Sequence, residues 1–264
     1  MVSVLIPTLL GGPVFSELFR AFARPKAQHA SVISEVLVLH PKGAPVQSQK
    51  RLHAPQVRWL ESAYPLYLAE ACNRLVDAAR TPFVLLLNDD VLLRPEWVEY
   101  MLSEYTRLEA GAVSLTECKD EAFWRQAEYA GPVPAPAVGI SPSCWLFRKN
   151  LWEGLGGFDE RFTPLCYEDV DFIVRMLAVA AKGNGGGLPY VLYKHLFMHV
   201  GCATRNSYLM VHDPYMERNR KKFLDKHAWT DEQLTAWQKQ FFFGFSRDPA
   251  DARLHPLIRQ AAKV

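Results

Sequence analysis

Apolar positions along this chain follow two rhythms. Short apolar runs, rich in branched side chains, recur at residues 2–6, 36–39, 83–87 and 112–115. Such runs mark strands covered on both faces, as in a parallel sheet between layers of helices. Between the runs the apolar positions spread to helical spacing. After Pro65 they fall at Leu68, Cys72, Leu75, Val76 and Ala79. After Pro95, a favourable first-turn residue, they fall at Val98, Met101, Leu102 and Tyr105. A third stripe of Val170, Ile173, Val174 and Leu177 predicts a helix over residues 168–181. The alternation predicts an α/β fold with a mostly parallel central sheet flanked by helices. Helix-like spacing over residues 230–242 adds C-terminal helices.

Elsewhere the rhythm breaks. Prolines at 132, 134, 136 and 142 interrupt any long element in residues 117–143, where Trp124 and Tyr129 stand among charged residues. That stretch reads as a substrate-facing loop or as a plain connection. The glycines of residues 183–187 follow a helix and precede a strand. This reverses the order in which backbone amides cradle a phosphate, so the cluster predicts a flexible turn. No repeat and no clean linker divides the chain, which predicts one domain.

Composition narrows the class without naming a partner. Hydrophobic residues make up 49% of the 264 positions, enough for a substantial core. Lys and Arg total 30 against 28 Asp and Glu, so net charge gives no argument for a polyanion partner. Cys72, Cys118, Cys144, Cys166 and Cys202 are odd in number and contain no CxxC pair. That spacing argues against a disulfide framework and against a zinc site. The run at 2–6 has no basic region before it and ends at Pro7, so it reads as a strand rather than a signal peptide. No run approaches the roughly 18 apolar residues of a membrane span. The expectation is a soluble, cytoplasmic chain.

Three polar clusters carry the candidate chemistry. The first is Asn88-Asp89-Asp90, where an apolar strand ends abruptly. Ligands of open α/β sheets bind outside the carboxyl ends of the strands. Adjacent carboxylates there repel unless solvated or held by a cation, and hard divalent ions take oxygen ligands. A polar turn explains the same residues. The second cluster is Gly156-Gly157-Phe158-Asp159-Glu160-Arg161-Phe162, followed by Tyr167-Glu168-Asp169-Val170-Asp171. Its acids open a predicted helix, where the dipole alone favours negative charge. A carboxylate fixed there beside a pocket also suits a general base. The third is His199, at the end of an apolar run and before a glycine. It is either structural or a ligand for a manganese-like ion.

Taken in order, these elements resemble the family 2 glycosyltransferases of the GT-A fold, toward a rhamnosyltransferase-like branch, over residues 2–226. The resemblance rests on Val2-Ser3-Val4-Leu5-Ile6-Pro7-Thr8, Asn73, Asn88-Asp89-Asp90, Gly156-Gly157-Phe158-Asp159-Glu160, Glu168-Asp169-Val170-Asp171, His199 and Asn219-Arg220-Lys221-Lys222-Phe223. It implies one GT-A nucleotide-diphospho-sugar transferase domain over 1–264. Residues 1–115 would form a nucleotide-sugar-binding half, 116–227 an acceptor and catalytic half, and 228–264 a helical tail.

The resemblance further implies roles for individual residues. Asp169 would be the catalytic base and Glu168 its support. Pro7, Thr8, His40, Asn73, Asn88, Asp89 and Asp90 would line the nucleotide-sugar site. Asp90 and His199 would hold a divalent cation, Mn2+ or Mg2+. The implied reaction moves a hexosyl or deoxyhexosyl group from a nucleotide-sugar donor to an acceptor hydroxyl with inversion. The acceptor is left open among glycan, lipid-linked, protein and modified nucleic-acid hydroxyls, as is the oligomeric state.

The chain departs from the family pattern at three places. Leu9-Leu10-Gly11-Gly12 follows Thr8 where an asparagine is common, His40 replaces a base-contacting aspartate, and Asn88 takes the first acidic position of the DxD-type motif. Two other readings stay open: a nucleotidyltransferase, and an inactive sugar-binding or scaffold protein of the same fold. Trp124, Tyr129, Trp145 and Trp152 are either core residues or platforms for sugar rings. Residues 218–222 read as a solvated helix face or a phosphate neighbour rather than a nucleic-acid patch.

Overall fold

The computed structural model describes residues 1–23, 31–46, 56–118, 121–126, 136–183, 187–200 and 212–238. Tyr129, Cys202, Pro132, Pro134, residues 184–186 and the tail beyond 238 lie outside them. Among the described residues nine strands form one sheet: β1 (Val2–Pro7), β2 (Ile33–Pro41), β3 (Val57–Ser62), β4 (Phe83–Leu87), β5 (Val91–Leu92), β6 (Ala112–Cys118), β7 (Ala137–Val138), β8 (Cys144–Arg148) and β9 (Pro189–His199). Their order is β3-β2-β1-β4-β8-β6-β9-β5, with β7 beside β9.

The α/β architecture is as the rhythm predicts. Strands β1 to β4, β6 and β9 run in one direction, while β5, β7 and β8 run against them. The parallel strands β1 and β4 are the ones that read most clearly as apolar runs, because β1 and most of β4 are buried. Helices α1 (Pro13–Phe22), α2 (Leu68–Ala78) and α3 (Trp97–Arg107) come from the first half of the chain. Then follow α4 (Glu121–Gln126), α5 (Lys149–Leu155), α6 (Glu168–Ala181), α7 (His212–His227) and α8 (Asp231–Gln238). Helix α3 starts two residues after Pro95, and α6 has the predicted bounds. No helix among the described residues is long and apolar enough to cross a membrane.

Strand β9 joins two halves of different character. Its parallel register with β6 runs Leu115 to Leu192, then jumps to Thr116 opposite Leu196. Tyr193, Lys194 and His195 therefore fall outside the register with β6 and form a three-residue bulge, a device that re-aims the strand beyond it. His195 stacks on Trp97 with ring centroids 4.7 Å apart, and Trp124 Nε1 donates to the Leu196 carbonyl at 3.1 Å. Those contacts clamp the bulge against α3 and α4.

Aromatic packing explains why the acids of the second cluster stand among rings. Trp145, Trp152, Phe147, Phe158 and Phe172 are all buried and meet in pairs with centroids 4.5–6.4 Å apart. Offset and edge contacts of this kind each add about 1 kcal/mol beyond burial. Trp124, Trp145 and Trp152 are thus core residues and not sugar platforms. Among the described residues the cysteines at 72, 118, 144 and 166 form no disulfide.

Candidate active site

The carboxyl ends of β1, β2, β4, β6 and β9 bring most of the expected donor-site residues to one edge of the sheet. Pro7 and His40 lie at the ends of β1 and β2, and Thr8 follows directly. The Thr8 hydroxyl donates to Asp89 Oδ2 at 2.7 Å, tying the turn after β1 to the turn after β4. Burial pushes the Asp89 carboxyl up to about 6; the Thr8 hydrogen bond opposes this and the neighbouring Asp90 charge adds to it. His40 gives Nδ1 to the Pro41 carbonyl at 2.9 Å, while its buried Nε2 has no hydrogen-bond partner among the described residues. Trp59 of β3 meets the same ring edge-on at 5.8 Å.

Pairing between β5 and β9 sets Val91 opposite His199, and the Val200 amide donates to the Asp90 carbonyl. That register brings His199 Nε2 to 3.3 Å from Asp90 Oδ1. The other ring nitrogen, Nδ1, stands 3.1 Å from Glu117 Oε1 at the end of β6. Burial acts to lower the His199 pKa, but hydrogen bonds to Asp90 and Glu117 outweigh it and lift the ring to about 9. The ring therefore carries a proton at neutral pH and serves as counter-ion to both acids.

Ser143 completes the group, with its hydroxyl 3.3 Å from His199 Nδ1 and 3.4 Å from Nε2. The Asn88 carboxamide donates to that hydroxyl at 3.4 Å. At the first position of the motif the amide thus works as a hydrogen-bond donor. Sequence reasoning missed Glu117 and Ser143. The signal for Glu117 was available: it stands two residues past the apolar run 112–115 of β6, close to the place that Asn88 takes after that of β4.

The donor set can be tested for a divalent cation. A carboxylate oxygen and an imidazole nitrogen 3.3 Å apart suit a manganese-like ion, which accepts both ligand types. Among the described residues no group of three or more His, Cys, Asp or Glu side chains is arranged to hold one. Asp90 and His199 therefore fit a two-ligand site whose remaining positions would be filled by donor phosphates. A cation taking Nε2 must displace its proton.

Asn73 is placed elsewhere. Its Oδ1 accepts the Phe158 amide at 2.8 Å, and its Nδ2 donates to the Phe158 carbonyl and to Glu160, each at 2.9 Å. The side chain clamps the glycine turn after α5 to α2. Gly157 sits at φ +69°, and a Cβ there would stand 2.5 Å from Asn73 Oδ1 and 2.8 Å from Trp152 Nε1. We expect Gly157→Ala to cost about 2 kcal/mol and lower the melting temperature by about 6 °C. A melt within 1 °C of wild type would show that the clamp is not tight.

The chain enters α6 through two residues, Cys166 and Tyr167, both at φ 75°. Left-handed backbone at non-glycine residues costs about 1 kcal/mol or more at each position and persists only when its surroundings enforce it. Asn219 of α7 supplies that enforcement: its buried amide donates to the carbonyls of Leu165 at 2.9 Å, Cys166 at 3.2 Å and Thr163 at 3.3 Å. Arg218 and Lys222 donate to the Thr163 and Arg161 carbonyls, and Lys226 pairs with Asp159 at 2.8 Å. Arg218, Lys222 and Lys226 thus hold this loop from a helix face that stays partly solvated, with Arg218 and Lys221 exposed.

Glu168 and Asp169 then occupy the first turn of α6. Glu168 is buried, and its Oε2 has no partner among the described residues. Burial, reinforced by the Asp169 charge, raises the Glu168 carboxyl well above the ordinary range. Asp169 keeps partial exposure and accepts the Val170 amide at 2.8 Å. Its carboxyl is also raised by burial, with the Val170 hydrogen bond opposing the shift. Of the two carboxyls Glu168 is the more strongly raised, so it is the more disposed to hold a proton.

Comparison with known proteins bears on the family and the fold. The model of the family described as "Glycosyl transferase family 2" matches residues 44–155. The O-antigen biosynthesis protein RfbC of Myxococcus xanthus is 27% identical over 152 residues, which is 47% of this chain and 12% of that protein. Crystal structures of S. aureus TarS 1-349, alone and with UDP-GlcNAc, superpose with TM-scores of 0.60 and 0.64. Both cover 95% of this chain and 74% of that one at 16% identity, a likeness of fold alone. Residues 44–155 thus match the family 2 glycosyltransferase model, and the chain shares the fold of the TarS structures.

Proposed function

We propose that this chain transfers a sugar from a nucleoside diphosphate sugar to an acceptor hydroxyl, with inversion and with a divalent cation at Asp90 and His199. The observation that carries the reading is the junction of β4, β5 and β9, which sets those two side chains against each other where an open α/β sheet takes its ligands. A bound cation would neutralise charge developing on the nucleotide leaving group. Thr8 and Asp89 brace the donor side, and His40 offers a buried acceptor nitrogen at the end of β2. Asp169 takes the proton of the incoming hydroxyl. Attack on the face opposite the leaving diphosphate inverts the anomeric centre. Residues 1–115 would serve the donor and residues 116–227 the acceptor.

The TarS complex with UDP-GlcNAc makes a uridine donor the first choice to test. The experiment is a melting screen with UDP, GDP, CDP and dTDP and their sugar conjugates, each with and without Mn2+. A ligand at about 100 times its dissociation constant adds roughly 2.7 kcal/mol to stability. We expect one diphosphate to raise the melting temperature by several degrees only when Mn2+ is present. Equal shifts with and without metal would remove the cation, and no shift with any nucleotide would remove the donor.

A further inference from the structure

We propose that Glu117 is a positioning residue for the cation site, holding the His199 ring so that Nε2, and not Nδ1, faces Asp90. The inference rests on the reading that Asp90 and His199 bind a divalent cation. Its geometric basis is a chain of bonds running away from the site. His199 Nδ1 lies 3.1 Å from Glu117 Oε1, on the side of the ring opposite Asp90. The second Glu117 oxygen accepts the Ser141 hydroxyl at 3.0 Å. The Ser141 amide in turn donates to the hydroxyl of fully buried Ser114 at 3.0 Å. Both oxygens of the carboxylate are thus engaged, one by His199 of β9 and the other by Ser141 in the segment before β8.

The strand register supports the same role. Glu117 pairs with Phe197, two residues before His199, so Glu117 and His199 project from the same face of the sheet. A third ligand would have to share the Nε2 side with Asp90, and Glu117 occupies the other side. Ser143 cannot choose between the ring nitrogens, because its hydroxyl is almost equally far from both. Glu117 makes the choice: with the Nδ1 proton donated to its carboxylate, the lone pair available to a cation is on Nε2. Carboxylates that hold a ligating histidine through its second nitrogen typically contribute 10- to 100-fold in metal affinity.

The test reads metal binding and not turnover. Free Mn2+ is followed by its electron paramagnetic resonance signal during titration into the protein, with the nucleoside diphosphate that stabilises it most. Wild type, Glu117→Ala and His199→Ala are compared, with melting curves and metal-free nucleotide affinity measured in parallel. The expected result is a 10- to 100-fold weaker Mn2+ affinity in Glu117→Ala, with its metal-free nucleotide affinity unchanged. Equal Mn2+ affinity in wild type and Glu117→Ala, with His199→Ala weakened, would overturn the role of Glu117 while leaving the cation site standing. Failure of wild type itself to bind Mn2+, or binding undiminished in His199→Ala, would overturn both. If Glu117→Ala does not fold, Glu117→Gln carries the test. It should lose about tenfold, and unchanged affinity overturns the proposal.

Discussion

Asparagine in place of Asp169 should lower the turnover number by about a thousandfold while donor binding stays within twofold of wild type. A positioned general base contributes roughly 100- to 10,000-fold, and the amide keeps the side chain's volume while removing its basicity. The environment makes this the acid whose loss is felt most. Glu168, one residue earlier, is buried and disposed to hold a proton, so it cannot replace the missing base. The Val170 amide that orients Asp169 through Oδ1 still finds an oxygen acceptor in the asparagine variant. Any loss therefore reports proton transfer more than local disorder. Sugar transfer, or donor hydrolysis where no acceptor is supplied, measures turnover, and calorimetry measures donor binding. Turnover within tenfold of wild type would move the base to another residue; loss of donor binding would make Asp169 a binding residue instead.

Alanine at Asp171 should destabilise the protein by about 3–5 kcal/mol, a fall of about 10 °C or more in melting temperature. The carboxylate is fully buried and accepts from Arg175 Nε at 2.9 Å, His227 Nε2 at 2.9 Å and Lys226 Nζ at 2.6 Å. Arg175 also donates to the Leu155 and Gly157 carbonyls, and Lys226 also reaches Asp159. One acid thus holds the end of α5, the glycine turn, α6 and α7 together. Its removal leaves three donors without their shared acceptor, which costs far more than the intact pair contributes.

The pH dependence has a definite sign. Burial acts to raise the Asp171 pKa, but its bonds to His227, Arg175 and Lys226 prevail and hold it below the ordinary carboxylate value. A depressed folded-state pKa gives stability that is fully present above the unfolded value, near 4, and is lost as pH falls toward the folded value. The gap in melting temperature between wild type and Asp171→Ala should therefore be widest at pH 7 and narrow below pH 4. A gap independent of pH would show that the loss is one of packing alone.

Burial decided which parts of the fold were legible in the sequence. Strands β1 and β4 are apolar at almost every position because layers cover both faces, and α6 shows its inner stripe without interruption. Strand β3 is half exposed at the sheet edge, with Arg58 paired to Glu35, so its alternation is blurred. Strand β9 is long, but Tyr193, Lys194 and His195 break its pattern in the middle. The site divides in the same way. Asp90 and Asp169 stand out because each ends or opens a recognisable element.

Asn73 does not stand out in this way, because a carboxamide on a helix looks the same whether it grips a ligand or, as here, the backbone of a glycine turn. Glu117 meets His199 across 82 positions of sequence, and only the pairing of β6 with β9 brings them together. The basic stripe of α7 reads as a charged surface until the carbonyls it serves are seen.

The bulge in β9 also makes strand length a matter of odd and even. Before it, odd-numbered residues of β6 stand beside even-numbered residues of β9, as Val113 beside Tyr190 and Leu115 beside Leu192. After it, odd meets odd, as Glu117 beside Phe197. Three inserted residues have switched the phase of the strand, and His199 reaches the catalytic edge only on the switched phase. An insertion or deletion of two residues in this segment would leave that phase intact. A change of one would turn the histidine to the opposite face and put its neighbour, Met198 or Val200, in its place.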